Sequence, residues 1–177
     1  MQGKTPKDLF VTMLSELRHG HERSTKILQE ISQAAQDPDV KEALDARLFV
    51  ADSIRDRIDQ CFKLIGEAPV KSTGRLYDTF VEEVRKDVAE IQNPAVRNFY
   101  VLSRASQLVH LRAAEYKALI AAADLTGHYG VAVLLESCLA DKLAFAERTA
   151  RLIRALAQIK FTEKVAEKIA ARSSAVA

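Results

Sequence analysis

Apolar residues recur every three or four positions along almost the whole chain, which is the spacing of amphipathic helices. The pattern predicts four long helices, at about residues 5–36, 38–65, 94–124 and 131–159. A shorter amphipathic stretch, at about residues 76–91, lies between the second and the third of them. No segment alternates apolar and polar residues with a period of two, so we expect no sheet.

Proline and capping residues mark where these helices begin. Thr5, Asp37 and Asn93 each precede a proline, and each can cap a helix whose first position proline favours. Gly66 supplies a C-terminal signal for the second long helix. Residues 66–93, which contain a helix of their own, are long enough to return along the bundle. The third long helix is therefore expected to run parallel to the second.

This order of elements predicts an all-α fold, a ferritin-like four-helix bundle with a helical crossover between the second and third long helices. Residues 1–160 are expected to form the bundle, and residues 161–177 a short basic helix followed by a loose tail. Glutamates interrupt the lysines of this segment and aromatic residues are nearly absent. The segment therefore fits a solvated helix better than a nucleic-acid or lipid contact.

Charge and composition narrow the class of protein further. The 26 basic and 24 acidic residues give a formal net charge of only +2, which favours neither nucleic acid nor membrane as a partner. We find no N-terminal secretion signal and no apolar run long enough to span a membrane. The sequence therefore predicts a cytoplasmic protein that binds neither nucleic acid nor membrane.

No recognisable motif for nucleophilic or phosphate chemistry is present. The sequence lacks a glycine-rich phosphate loop, a GxSxG elbow and an HExxH zinc motif. Cys61 and Cys138 are isolated, without metal-type spacing, and are expected to be buried reduced thiols that form no disulfide. The sequence thus favours a non-catalytic protein over an enzyme.

Polar residues interrupt two of the apolar stripes near the middle of their helices. In the first helix His21 and Ser24 stand between Leu17 and Leu28, where buried apolar residues would be expected. In the last helix Lys142 interrupts the stripe in the same way. Both interruptions lie near the middle of their helices, so they indicate a layer of polar side chains in the interior of the bundle.

Several segments resemble the YciE/YciF family, a group of bacterial ferritin-like proteins described as stress-related or metal-binding. The segments are "KTPKDLFVTML", "RIDQCFKLIGEAP", "QNPAVRN" and "AEYKALIAAADLTGH". They occur in the family's order, and the resemblance covers about residues 4–157. It implies that members with an intact site carry glutamates at mid-bundle on the inner faces of all four long helices, which hold two metal ions.

The resemblance also implies that this chain has lost most of these ligands. The corresponding positions are His21 on the first helix, Phe49 and Val50 on the second, Val109, His110 and Arg112 on the third, and Asp141 and Lys142 on the fourth. Of these only Asp141 keeps a carboxylate, whereas a dinuclear site gathers about four. Arg112 and Lys142 would repel a dication. We therefore expect a degenerate metal site with no catalytic, cofactor-binding or metal-binding residues.

Three functions follow from this reasoning. The first is a non-catalytic, stress-related structural or interaction protein in which Asp141, Lys142 and Arg112 form an interior ion-pair layer. The second is a metal-binding protein or oxidase with iron, manganese or zinc held by His21, His110 and Asp141. The third is a carrier of a small ligand or anion that uses Lys142 and Arg112 at the bundle centre.

The chain is expected to form a homodimer through an outer helical face, because two-fold dimers are the commonest soluble assembly. Leu64, Val11 and Tyr100 are apolar residues that the stripes do not clearly bury. The sequence does not identify any other protein partner.

Overall fold

The computed structural model describes residues 5–71 and 75–174, with side chains described as far as residue 158. Within these ranges the chain forms helices and no strand. The helices are α1 (Pro6–Ala34), α2 (Pro38–Phe49), α3 (Ala51–Ile65), α4 (Arg75–Glu90), α5 (Pro94–Leu125) and α6 (Tyr129–Ser174). The predicted all-α fold is confirmed.

Four helical segments form the bundle: α1, the α2–α3 pair, α5 and α6. The α2–α3 pair runs antiparallel to both α1 and α6. The contacts that set these directions are Lys7–Glu67, Ser32–Asp45, Arg57–Asp141 and Arg148–Glu42. A turn at Gly127 folds α5 back against α6, so α5 runs parallel to the α2–α3 pair, as the long crossover predicted.

The crossover helix α4 lies outside the bundle, against α1 and α5. It buries Tyr77 and Val84 on its inner side. Arg85 forms an ion pair with Glu30 of α1 at 2.5 Å. These contacts attach α4 along two of the four bundle helices, and they place Tyr77 at the middle of the bundle.

The predicted capping residues occupy the predicted positions. Thr5 accepts a hydrogen bond from the Asp8 N–H, and both Asp37 and Asn93 accept bonds from two backbone N–H groups in the first turn of their helices. Gly66 ends α3 with a φ of 67°. This is a left-handed conformation that glycine adopts without steric strain.

The second predicted helix is interrupted at Val50. The backbone of Val50 has φ −90° and ψ 0°, so α2 ends at Phe49 and α3 begins at Ala51. The predicted continuous helix over residues 38–65 was therefore wrong at this one place. At the interruption the Phe49 side chain is 89% exposed, although the resemblance had placed it on an inner face.

The last helix continues beyond the bundle. Residues 161–174, expected as a separate short helix, are helical and continuous with α6. The loose tail falls partly on residues 175–177, which lie outside the described residues. The division of the chain into a bundle of residues 1–160 and a tail stays a prediction. No described helix combines the length and the apolarity that crossing a membrane requires.

The core consists of two apolar clusters, one towards each end of the bundle. One cluster contains Leu14, Ile58, Tyr116 and Leu135, and the other contains Ile31, Leu44, Leu102 and Phe145. Cys61 and Cys138 belong to the first cluster, where both are buried and free, as predicted. Burial raises the pKa of the Cys61 thiol to about 12, so it is protonated at neutral pH.

Only one of the three apolar residues expected on the outer surface is well exposed. Leu64 is 55% exposed, whereas Val11 is buried in the core. Tyr100 is half-buried because its hydroxyl donates a hydrogen bond to Asp87 and accepts one from Arg104. The expectation was therefore wrong for Val11 and Tyr100.

Candidate functional site

A polar layer separates the two apolar clusters at the middle of the bundle. Every one of the four bundle segments contributes to it. Its members are His21 and Ser24 on α1, Arg47 on α2, Arg112 on α5 and Lys142 on α6. The exposed fraction of Arg112 and of Lys142 is 1%, and that of Arg47 is 5%. Three basic side chains are thus removed from solvent within one layer.

Arg112 connects three helices through its guanidinium. Its Nη2 donates to the Leu17 backbone carbonyl of α1 at 2.6 Å. Its Nη1 donates to the Tyr77 hydroxyl of α4 at 2.9 Å, and also to the carboxylate of Glu115. Burial opposes the charge, but the Glu115 carboxylate and the neighbouring tyrosine hydroxyls outweigh it, so the pKa of Arg112 is raised. Arg112 therefore stays charged inside the bundle.

Gly20 provides the space through which Arg112 and Tyr77 reach α1. A Cβ atom built on Gly20 would overlap the Arg112 Nη1 and would lie 2.7 Å from the Tyr77 Cε2. Any other residue would push these two side chains away from α1. Gly20 is therefore required by the close approach of its neighbours, although its backbone is ordinary helix.

His21 is buried as a neutral ring. Its Nε2 lies 2.8 Å from the Ala51 carbonyl oxygen. Because a carbonyl only accepts hydrogen bonds, this nitrogen carries the proton. Burial lowers the His21 pKa to about 3, and the positive charges of Lys142 and Arg112 contribute to the same shift. Its Nδ1 is buried and has no hydrogen-bond partner among the described residues.

Lys142 and Arg47 are the two basic groups of the layer without an acidic partner. Among the described side chains neither forms an ion pair, and the Arg47 Nη1 has no hydrogen-bond partner. The Lys142 Nζ lies 5.0 Å from the centre of the Tyr116 ring, a cation–π contact. Burial lowers the pKa of Lys142 well below its ordinary value, and Arg47 and Arg112 lower it further by repulsion.

Two cavities adjoin these basic groups. The smaller has a volume of about 10 Å³, and Arg47, Arg112 and Lys142 all line it. A space of this size holds about one water molecule. The larger, of about 220 Å³, is open to solvent between α2 and α6. Arg47 and Phe145 line both cavities, so these two side chains form the wall between them.

Some of the eight positions that the resemblance assigned to the former metal site are buried in the structure. His21, Val109, Arg112 and Lys142 are in the interior, as expected. The exposed Phe49 was wrongly placed there, because the inward residue of α2 at this level is Arg47. Val50 is half-buried, and its side chain packs against the apolar cluster that contains Leu14.

His110 and Asp141 also lie outside the layer. His110 is exposed on α5, where its Nδ1 bonds to the Ser106 carbonyl at 2.7 Å. Asp141 is half-exposed, and it pairs with Arg57 of α3 at 2.6 Å. The expected ion-pair layer of Asp141 with Lys142 and Arg112 was therefore wrong. At this point of α6 the inward direction falls on Lys142, and the Asp141 side chain reaches Arg57 nearer the surface.

The residues of the layer do not fit a metal ion. Within the described residues no three His, Cys, Asp or Glu side chains converge in a way that could hold one. The alternative set of His21, His110 and Asp141 is not brought together, since one is buried and the other two face outwards. Arginine and protonated lysine offer donors and no ligand lone pair.

Sequence reasoning missed Arg47, Tyr77 and Gly20. Arg47 follows Val40 and Leu44 at the spacing of one helical face, so this stripe could have identified it. A glycine in mid-helix, as in "RHGHER", is a signal of close packing. Nothing in the sequence indicated that Tyr77, from the crossover helix, would reach the layer.

The fold and part of the sequence match proteins already described. Residues 5–166 match the model of a domain of unknown function, DUF892. Protein YciF of Escherichia coli K12 is 23% identical over 145 residues, which cover 81% of this chain and 87% of YciF.

Solved structures have the same fold. The E. coli stress protein YciF superposes with a TM-score of 0.83 at 21% identity, over 88% of this chain and 99% of that one. YcfI of Rhodopseudomonas palustris, provisionally described as a structural protein, gives a TM-score of 0.79 at 24% identity, over 83% and 94%. At these identities the likeness establishes the fold alone.

Replacing Gly20 by alanine should destabilise the protein by about 1–3 kcal/mol, because the new Cβ displaces Arg112 and Tyr77. Helix propensity alone predicts the opposite, a gain of about 1 kcal/mol. Denaturant unfolding measures the difference. The matched control is Gly130→Ala, where the new Cβ meets only the flexible Leu64 side chain at 3.4 Å and stability should hold or rise. A stabilised Gly20→Ala variant would contradict the packing described here.

The stability of the protein should fall as the pH falls from 6.5 towards 3. In this range the unfolded chain takes up a proton on His21 that the folded protein, with a His21 pKa of about 3, does not. The expected contribution is about 1.4 kcal/mol per pH unit. His21→Gln keeps a donor for the Ala51 carbonyl and should show a shallower slope in denaturant unfolding. His110→Gln, on the exposed face of α5, is the control, and equal slopes for wild type and His21→Gln would refute the assignment.

Proposed function

This chain belongs to the DUF892 family, as its resemblance to YciE/YciF predicted, and we propose that it is a non-catalytic helical-bundle protein. In this proposal basic side chains have replaced a dinuclear metal site at the middle of the bundle. The protein would act through its surface, as a structural or interaction protein in a stress response.

The charge of the mid-bundle layer is the observation that carries this proposal. A dinuclear site in a helical bundle gathers about four carboxylates to balance two divalent cations. Here Arg47, Arg112 and Lys142 occupy the interior of that level, and His21 is neutral. The Asp141 carboxylate points outwards to Arg57. A metal ion in this layer would meet positive charge and, among the described residues, no converging set of carboxylates.

The biological role is argued from the relatives. YciF of E. coli is named a stress protein, and YcfI of R. palustris is provisionally described as structural. The bundle fold that these proteins share with this chain supports a similar role. Two free buried thiols agree with a reducing compartment, so we place the protein in the cytoplasm.

Protein purified without chelator should contain well under one equivalent of iron, manganese or zinc per chain. The reason is the positive charge of the layer and the absence of converging ligands among the described residues. Elemental analysis after gel filtration gives the metal content. Addition of ferrous iron in air should also produce no faster oxidation than buffer alone.

Weak zinc binding at exposed histidines could obscure this measurement, so a surface variant is the control. His110→Ala removes an exposed histidine, whereas His21→Gln alters the buried layer. Zinc that disappears only with His110→Ala belongs to the surface and leaves the proposal intact. Stoichiometric metal that disappears with His21→Gln would show that the layer is a metal site after all.

The exposed apolar residues at one end of the bundle support a homodimer. Leu64 of α3 lies beside Gly130 of α6, and Tyr129 and Val133 flank that glycine on α6. The exposed fractions of Leu64, Tyr129 and Val133 are 55%, 68% and 62%. We call these three residues the Leu64 patch. A contiguous apolar patch of this kind is typical of an association surface, and a two-fold axis would bury it against its copy.

Val133→Glu should convert the dimer into a monomer, because each protomer would then place a carboxylate in the apolar interface. Sedimentation velocity at micromolar concentration distinguishes the two states. Leu76→Glu is the matched control, since Leu76 is 59% exposed on α4, away from the Leu64 patch. A monomeric wild-type protein, or a dimer that survives Val133→Glu, would reject this surface.

A further inference from the structure

The buried layer holds more positive charge than its own residues balance. Arg112 has a carboxylate partner in Glu115, but Arg47 and Lys142 have none among the described side chains. An unpaired buried charge is strongly unfavourable, and a folded protein normally neutralises it with a counter-charge or by loss of a proton. Arginine does not lose its proton in proteins. Asp141 acts on Arg47 across the larger cavity but forms its ion pair with Arg57, so Arg47 lacks a counter-charge of its own.

The geometry offers a place for that counter-charge. The small cavity lies between α1, α2, α5 and α6. Its polar walls are the three basic side chains and Ser24, whose hydroxyl donates to the His21 carbonyl. Two buried nitrogens of these walls, the Arg47 Nη1 and the Arg112 Nε, have no hydrogen-bond partner among the described residues. Both are N–H donors, so the missing partner is an acceptor. The remaining walls are largely apolar, and they include Leu28, Leu108 and Val109.

The size of the cavity selects the class of anion. Its volume is about 10 Å³. A space of this size admits a single water-sized sphere. Phosphate, sulfate and carboxylate each present several heavy atoms, and the apolar walls would leave some of their oxygens without donors. A water molecule fits and would accept a hydrogen bond, but it would leave the charge of Arg47 unbalanced, and Lys142 would keep its proton only at the cost of its lowered pKa. A monatomic anion supplies the missing charge in the smallest volume. Chloride is somewhat larger than water, and the long Arg47 and Lys142 side chains must move slightly to admit it.

We propose that this cavity is a binding site for one halide ion, chloride under physiological conditions, held by Arg47 and Lys142 with Arg112 beside it. The larger cavity between α2 and α6 is open to solvent, and the Arg47 and Phe145 side chains separate it from the site, so an ion enters from there when these side chains move. The bound ion acts as an interior counter-ion that joins α2 to α6. The inference does not depend on the proposed function, since a metal analysis and a halide measurement report different ions.

Thermal unfolding at constant ionic strength tests the proposal. Sodium chloride and sodium bromide should raise the Tm of the wild-type protein by several degrees over sodium gluconate, with saturation as the site fills. Matching the ionic strength removes general screening from the comparison. An equal Tm in chloride and gluconate would overturn the proposal. A rise produced by sulfate or phosphate and not by chloride would overturn it as well, because it indicates an oxyanion.

Three variants locate the effect. Arg47→Met and Lys142→Met should each abolish the halide-dependent rise in Tm. Methionine replaces a buried charge by an apolar chain of similar length, so both variants are expected to fold. Arg148→Met is the matched control, because Arg148 lines the larger cavity and pairs with Glu42 outside the layer. Loss of the halide effect in Arg148→Met alone would place the ion at the surface and reject the buried site.

Anomalous diffraction from crystals grown in sodium bromide gives a direct readout. A bromide peak between the Arg47 and Lys142 side chains in the wild-type protein, absent in Lys142→Met, is the expected result. A well-ordered water at that position with no anomalous signal would refute the site, whatever the thermal data show.

Discussion

The buried guanidinium of Arg112 is the interaction on which the middle of the structure depends. It donates hydrogen bonds to α1 and α4 from its position on α5, so one side chain ties the Tyr77 end of the crossover helix to the middle of the bundle. The two apolar clusters on either side could slide or rotate without it, since apolar contacts have little direction. Gly20 leaves the space that Arg112 occupies, and the Glu115 carboxylate keeps it charged. The polar layer thus sets the register of helices that the apolar clusters hold together.

Most of the fold could be predicted from the sequence because its signals are local. A helix start with a capping residue and proline, as at Asp37, is decided by a few adjacent residues. The parallel course of α5 followed from the length of the link before it. The break at Val50 could not be predicted, because no glycine or proline marks it. At the break the Ala51 carbonyl accepts a hydrogen bond from the His21 ring. This is a tertiary contact between residues thirty positions apart.

The candidate site could be predicted only in part, for a geometric reason. His21 and Lys142 interrupt strong apolar stripes, so their burial follows from periodicity. When ligand positions are transferred from a similar family, each is fixed only to within one residue. A shift of one residue along a helix turns the side chain by about 100°. Such an error explains why His110 points to solvent while the neighbouring Val109 is buried. Arg47 is two positions from Phe49, and Phe49 is the last residue of α2 before the break. Tyr77 comes from outside the four stripes, and no periodic argument could have found it.

The composition of the layer also explains why no single substitution would turn it into a metal site. An acidic residue introduced alone, as in Lys142→Glu, would enter a space bounded by Arg47 and Arg112. Its carboxylate would form ion pairs with these guanidiniums, and those bonds would occupy the oxygens that a metal ion needs. A metal site would require acids on several helices at once together with the loss of both arginines. Basic side chains therefore fill the bundle centre in place of metal ligands. Several simultaneous substitutions would be needed to convert this arrangement into a metal site.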